Sequence, residues 1–151
     1  MKTVLTQSLP NVESTKKFAR ELAEEILSQE QRFVVFLEGG LGVGKTLVVR
    51  EVLRAFGVQD DVTSPTYTYV QEYTADGANF AHFDLYRLEK REDFLNKGFI
   101  EISSDPEISC FVEWPERLSS EAKASFSGKH FVLQLEHGIN ASGRKAKLLE
   151  K

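Results

Sequence analysis

A single cysteine, Cys110, among 151 residues leaves the chain unable to close an internal disulfide. It lies in the apolar run SCFV, where a free thiol reads as a small buried hydrophobe. No apolar run approaches the roughly 20 residues of a membrane-spanning helix. The N-terminal MKTVLTQSLP also lacks the sustained apolar core of a signal peptide. A cytoplasmic protein without membrane contact is the expectation. Nor is there a surplus of cations: 19 Lys and Arg face 23 Asp and Glu, for a formal charge of -4. Tight, autonomous nucleic-acid binding needs clustered cations to displace counterions from phosphates. Any contact with nucleic acid is therefore expected to run through a partner. Internal repeats and dividing linkers are missing as well, and 41% hydrophobic with 28% charged residues suits one globular domain over residues 1–151.

The apolar residues that are present carry two periods. Phe18, Leu22 and Ile26 interleave with Ala19, Ala23 and Leu27 as i, i+4 ladders, which predicts a helix over about residues 14–28. RFVVFL (32–37), ISCFVEW (108–114) and HFVLQLEH (130–137) are short, apolar and β-rich, the mark of buried strands. TYTYVQEY (66–73) and NFAHFDLYR (79–87) flank Asp76-Gly77, a hairpin signal with a loop expected to exceed two residues. A helix carrying Val48, Val49, Val52, Leu53 and Phe56 is expected to end at Gly57, and a short charged one at Gly98. From about residue 140, NASGRKAKLLEK reads as a flexible, solvated basic tail. The sum predicts a three-layer α/β domain with a mostly parallel central sheet and a β-hairpin after the second helix.

Between strand and helix stands GGLGVGKT, which matches G-x-x-x-x-G-K-[ST] at every defined position. Phosphate oxygens must approach several consecutive backbone N–H groups, and a Cβ at crowded positions would block them. The helix start adds free donors and the positive end of its dipole. Gly39, Gly40, Leu41, Gly42, Val43 and Gly44 would thus form the cradle, continued by Leu47 in the first helical turn. Lys45 supplies charge to the β- and γ-phosphates, and the Thr46 hydroxyl one Mg²⁺ position. A solvated glycine turn is the bland alternative, and eight matched positions in strand–loop–helix context argue against it.

A phosphate loop alone does not choose the chemistry. The guanine-reading N-K-x-D has only NKGF at 96–99 to offer, without its aspartate, so GTP is disfavoured. Glu113 ends a buried strand, on the edge where a parallel sheet opens its crevice, and would hold Mg²⁺ or orient the attacking water. Alternation in HFDLYR puts His82, Asp84 and Tyr86 on one face, with Asp84 reaching the metal; for His82 and Tyr86 an ordinary wet face serves equally. Ser64-Pro65-Thr66 is either turn punctuation or a switch that senses the γ-phosphate.

GGLGVGKT, SPTYT (64–68), HFDLYR (82–87) and VEWPER (112–117), in this order and spacing, resemble the TsaE (YjeE) family of bacterial P-loop ATPases. The resemblance implies a P-loop NTPase fold and an accessory role in making N6-threonylcarbamoyladenosine beside the tRNA anticodon. It implies binding to the TsaB–TsaD pair, ATP hydrolysis that is weak in the chain alone, and tRNA contact only through the complex. Carried over, Lys45 and the loop amides hold ATP, Thr46, Asp84 and Glu113 hold Mg²⁺, Thr66 senses the nucleotide, and Trp114 lies near it. Glu113, Asp84 and Lys45 would be the catalytic groups. Trp114 reads equally as a core aromatic, and Arg87 as a solvated cation. The chain departs from the family at Gly40, where an acid is usual, and at Leu47, often a second threonine. A small-molecule kinase and a nucleotide-gated binding module with negligible hydrolysis are the competing readings.

Overall fold

The computed structural model describes residues 1–65, 67–138 and 143–151. In chain order they form β1 (Lys2–Leu9), α1 (Val12–Glu21), β2 (Phe33–Glu38), α2 (Lys45–Ala55), β3 (Val70–Ala75) and β4 (Ala78–Asp84). Then come α3 (Asp93–Asn96), α4 (Ile100–Ser103), β5 (Ile108–Glu113), α5 (Ser120–Ser125), β6 (Lys129–His137) and β7 (Arg144–Glu150).

Seven strands make one mixed sheet in the order β1-β7-β6-β2-β5-β4-β3. Only its centre is parallel: β6, β2, β5 and β4 run together, while β3, β7 and β1 each pair antiparallel. The expected mostly parallel sheet is corrected to that extent. All six residues of β5 are buried, as both covered faces of a parallel strand require. Alternation along β2 divides the core. Phe33, Val35 and Leu37 pack with Phe18 of α1 and Val48 and Val52 of α2. Val34 and Phe36 join Phe83, Phe94 of α3 and Ala122 of α5 on the opposite side. Helix, sheet, helix are the three layers, with Cys110 inside the second cluster and its thiol pushed up to about 12 by burial.

Local chemistry sets the ends. Asn11 caps α1: its Oδ1 accepts from Ser14 N at 2.9 Å, while Ser14 Oγ accepts from Asn11 N at 3.1 Å. The helix therefore starts before residue 14, and past Glu21 it widens into a π-turn over Leu22–Ile26. Gly57, at φ 103°, ends α2 with Val58 N–H donating to Leu53 O and its own N–H to Arg54 O. Ala75 pairs directly with Ala78, so the hairpin loop is just Asp76-Gly77, at φ 51° and 80°. This tight turn is shorter than expected because two alanines of low β-propensity complete the ladder.

The C-terminal stretch read as a frayed tail is also corrected. Arg144–Glu150 is β7, paired with β1 on one side and β6 on the other, with Ala146 and Leu148 fully buried. Residues 140–142 of that stretch lie outside the described residues. Two strands, β1 and β7, cover what would otherwise be an open edge of β6. At the other end of the molecule's logic, the parallel register aligns Leu37, Glu113 and Asp84 side by side, so the carboxyl ends of β2, β5 and β4 meet where the glycine loop begins.

Candidate functional site

The loop glycines do not all meet the same constraint. A Cβ on Gly39 would sit 2.5 Å from Leu135 O and 2.8 Å from Val43 Cγ1, so bare backbone is needed against β6. At Gly42 and Gly44 a Cβ would meet open space, and the requirement is instead the positive φ of 72° and 103°. Crowding by the protein's own atoms acts at the first glycine of the loop. Gly40 has neither constraint. Gly40→Asp is accordingly expected to fold and to gain about 0.4–1 kcal/mol by reducing unfolded-state entropy, checked by urea denaturation.

Gly44 is the N-cap of α2 and offers no side chain to the first turn. Lys45 follows, 5% exposed, with Nζ donating to Gly39 O and lying 3.6 Å from the centre of the Trp114 ring. Burial pushes the Lys45 pKa down, opposed by the carboxylates of Glu113, Glu116 and Asp84. Trp114 takes a left-handed backbone at φ 62°, ψ 52° where β5 ends, and Tyr86 packs on it at 4.9 Å between ring centres. The indole is half-buried, with one side on the second core cluster and the other under Lys45.

Glu113 is the centre of the polar network, at 3% exposure. Thr46 Oγ1 donates to its carboxylate, 2.9 and 3.0 Å from the two oxygens. His82 Nε2 lies 2.6 Å from Oε2. The His82 ring is fully buried and its Nδ1 finds no partner among the described residues. A carboxylate only accepts, so the ring donates from Nε2 to Glu113. His82 is thus not on a wet face; α2 covers the side of the sheet that alternation alone left undecided. Asp84, beside Glu113 in the sheet register, accepts from Ser64 Oγ and from Tyr86 N at 3.1 Å.

One cavity of about 400 Å³ gathers these groups: residues 41–47 with Ser64, Asp84, Tyr86, Arg87, Glu113 and Trp114. Of the residues expected to form a site, Leu41, Gly42, Val43, Gly44, Lys45, Thr46, Leu47, Asp84, Glu113 and Trp114 line it. Gly39 shapes the loop from behind, and Gly40 lies outside the lining. Thr66 falls outside the described residues. Arg87 joins the wall with its guanidinium 5.2 Å from the Tyr67 ring centre. Sequence reasoning missed the role of His82 and also Arg144, whose guanidinium bonds to loop carbonyls.

Among the described residues no three His, Cys, Asp or Glu side chains cluster closely enough to hold a metal ion by themselves. The oxygen donors here, the Thr46 hydroxyl with the Glu113 and Asp84 carboxylates, instead suit Mg²⁺, which takes one or two carboxylates and fills its remaining positions with phosphate and water. No helix among them is long and apolar enough to cross a membrane.

Known proteins with the same pattern are consistent among themselves. Residues 9–145 match the family described as threonylcarbamoyl adenosine biosynthesis protein TsaE. The Haemophilus influenzae tRNA threonylcarbamoyladenosine biosynthesis protein TsaE is 40% identical over 115 residues, 75% of this chain and 72% of that one. Its counterpart from Rickettsia felis is 37% identical over 109 residues, covering 72% of this chain and 61% of the relative's length. Bacillus subtilis YdiB, a crystal structure, superposes with a TM-score of 0.69 over 98% of this chain and 86% of its own, at 20% identity, and so shares the fold. With the family match running from β1 through the glycine loop, His82, Glu113 and Trp114 to the start of β7, the chain belongs to the TsaE family of tRNA threonylcarbamoyladenosine biosynthesis proteins.

Proposed function

We propose that the chain binds and hydrolyses Mg-ATP as an accessory subunit of tRNA threonylcarbamoyladenosine synthesis, acting with the TsaB–TsaD pair. The observation that carries this reading is the convergence of Lys45, Thr46 and Glu113 on one cavity at the start of α2. Lys45 bonds to Gly39 O and lies on Trp114, and Thr46 bonds to Glu113. ATP exchanges those contacts: the ammonium turns to the β- and γ-phosphates and the loop amides receive the phosphate oxygens. When bound, Mg²⁺ neutralises charge on the polyphosphate, with Thr46, Asp84 and Glu113 as the residues that would hold it. Glu113, held by its bond to His82, would align a water for attack at the γ-phosphorus, breaking the bond to the bridging oxygen of ADP.

A net charge of -4 supports indirect contact with tRNA through the partner pair. Phosphate release from Mg-ATP, measured for the chain alone and with purified TsaB–TsaD, tests the reading. Slow release alone and a clear rise with the pair is expected. No rise would remove the coupled-ATPase role, and ATP-dependent pull-down without release would favour a nucleotide-gated binding module.

A further inference from the structure

Arg144, the first residue of β7, is held between the ends of β1 and β6, opposite Leu9 and His137. From there its guanidinium reaches across about a hundred residues of sequence to the glycine loop. Nε donates to Val43 O at 3.2 Å, Nη2 to Gly42 O at 3.3 Å and Nη1 to Gly143 O at 3.1 Å. Among the described residues no carboxylate pairs with it within 4.0 Å, so its bonds are spent on backbone oxygens.

We infer that Arg144 is a positioning residue that sets the loop's N–H groups for phosphate binding. A trans peptide is planar, with C=O and N–H on opposite sides. Pinning the oxygens of Gly42 and Val43 toward β7 therefore turns the N–H groups of Val43 and Gly44 the other way, and both residues line the cavity. Val43 seats its side chain in the first core cluster and fixes the path of the loop, while the bonds from Arg144 fix the tilt of its peptide planes. A Cβ at Gly42 or Gly44 would touch nothing within 4 Å, and α2 has no side-chain cap. Gly39, wedged on Leu135 O, anchors the loop's entry on β6, and Arg144 anchors its middle from β7. The C-terminal hairpin is thereby a backrest for the loop. Arginine suits the task because its planar fork serves two carbonyls at once, whereas an ammonium is a point donor. The positive charge adds a favourable field for a polyanion.

The inference rests on the nucleotide reading above, and the experiment separates the two. Mg-ATP affinity is measured by calorimetry for the wild-type chain, Lys45→Ala, Arg144→Ala and Arg144→Lys, with melting curves for each. Arg144→Ala is expected to bind about tenfold or more weakly, the scale of one or two oriented hydrogen bonds. Arg144→Lys, which keeps charge and stem, is expected to recover only part of the loss. Methylguanidinium added to Arg144→Ala should restore affinity, and should do nothing for Lys45→Ala. Wild-type affinity in Arg144→Ala, or complete recovery in Arg144→Lys, overturns the positioning role while leaving the phosphate site in place. Absence of binding by the wild-type chain overturns the nucleotide reading itself. Should Arg144→Ala not fold, Arg144→Lys decides: affinity equal to wild type refutes the role, and a severalfold loss at an unchanged melting temperature supports it.

Discussion

Lys45→Ala is expected to weaken Mg-ATP binding at least about a hundredfold, roughly 2.8 kcal/mol at 1.4 kcal/mol per factor of ten, and to leave the fold intact. The ammonium is buried, and its lowered pKa means that the fold disfavours the cation relative to water. That cost is present below the folded pKa and disappears as pH rises above the unfolded one. Removing the side chain relieves it, against the loss of one bond to Gly39 O and a contact with Trp114 of about 0.5–2 kcal/mol. The two effects oppose each other, so the melting temperature should move by only a few degrees. Trp114 is the only tryptophan, so its emission reports the departure of Lys45 directly. Mg-ATP should change the emission of the wild-type chain and leave that of Lys45→Ala unmoved. Unchanged affinity in the variant would show that the loop is not a phosphate site.

The legible parts of the fold are those whose signal is local. β2 and β5 are continuous apolar runs, β6 buries Phe131, Leu133 and Leu135 in alternation, and Gly57 ends α2 as its position in the sequence implies. β1 and β7 have no such signal. KTVLTQSL is half polar and mostly exposed, and RKAKLLE buries only Ala146 and Leu148 completely. Each becomes a strand because the other is there to pair with, and because β6 has an edge to cover. That dependence is non-local and leaves no mark in a short window. α4 and α5 were missed for a related reason: at four and six residues they depend on packing over the sheet more than on helix propensity.

Within the site, residue type and spacing marked Lys45, Thr46, Asp84 and Glu113, because a phosphate motif fixes its own neighbourhood and strand ends lie beside it, whereas Trp114 came only with the family resemblance. His82 illustrates where pattern stops. Alternation places it on the same face as Asp84 but does not say that α2 covers that face, which turns a candidate for a wet surface into a buried donor to Glu113. Arg144 is further from reach, since no local pattern relates a residue at the start of β7 to carbonyls at 42 and 43. Even the glycines were legible as a set and not one by one: only the three-dimensional path shows Gly39 crowded by β6 and Gly42 and Gly44 needed for their dihedrals.

Glu113→Gln should bind Mg-ATP within about tenfold of the wild-type chain, yet lose about 10²–10⁴ of partner-stimulated phosphate release, the scale of a positioned acid–base group. The amide keeps the carboxylate's shape, and its oxygen still accepts from His82 Nε2, so the buried pair survives. What disappears is the negative charge that a metal ion or an attacking water would meet. Glu113→Ala is the harsher variant, because it leaves the buried His82 N–H without its acceptor, at about 1–3 kcal/mol, while the half-buried Thr46 hydroxyl can turn to water. A difference in melting temperature between the two variants, with equal loss of turnover, would separate the structural part of Glu113 from its chemical part. Normal release by Glu113→Gln removes the carboxylate from the mechanism. If raising Mg²⁺ restores the variant, its part is to hold the metal; if excess Mg²⁺ has no effect, its part is to align the water.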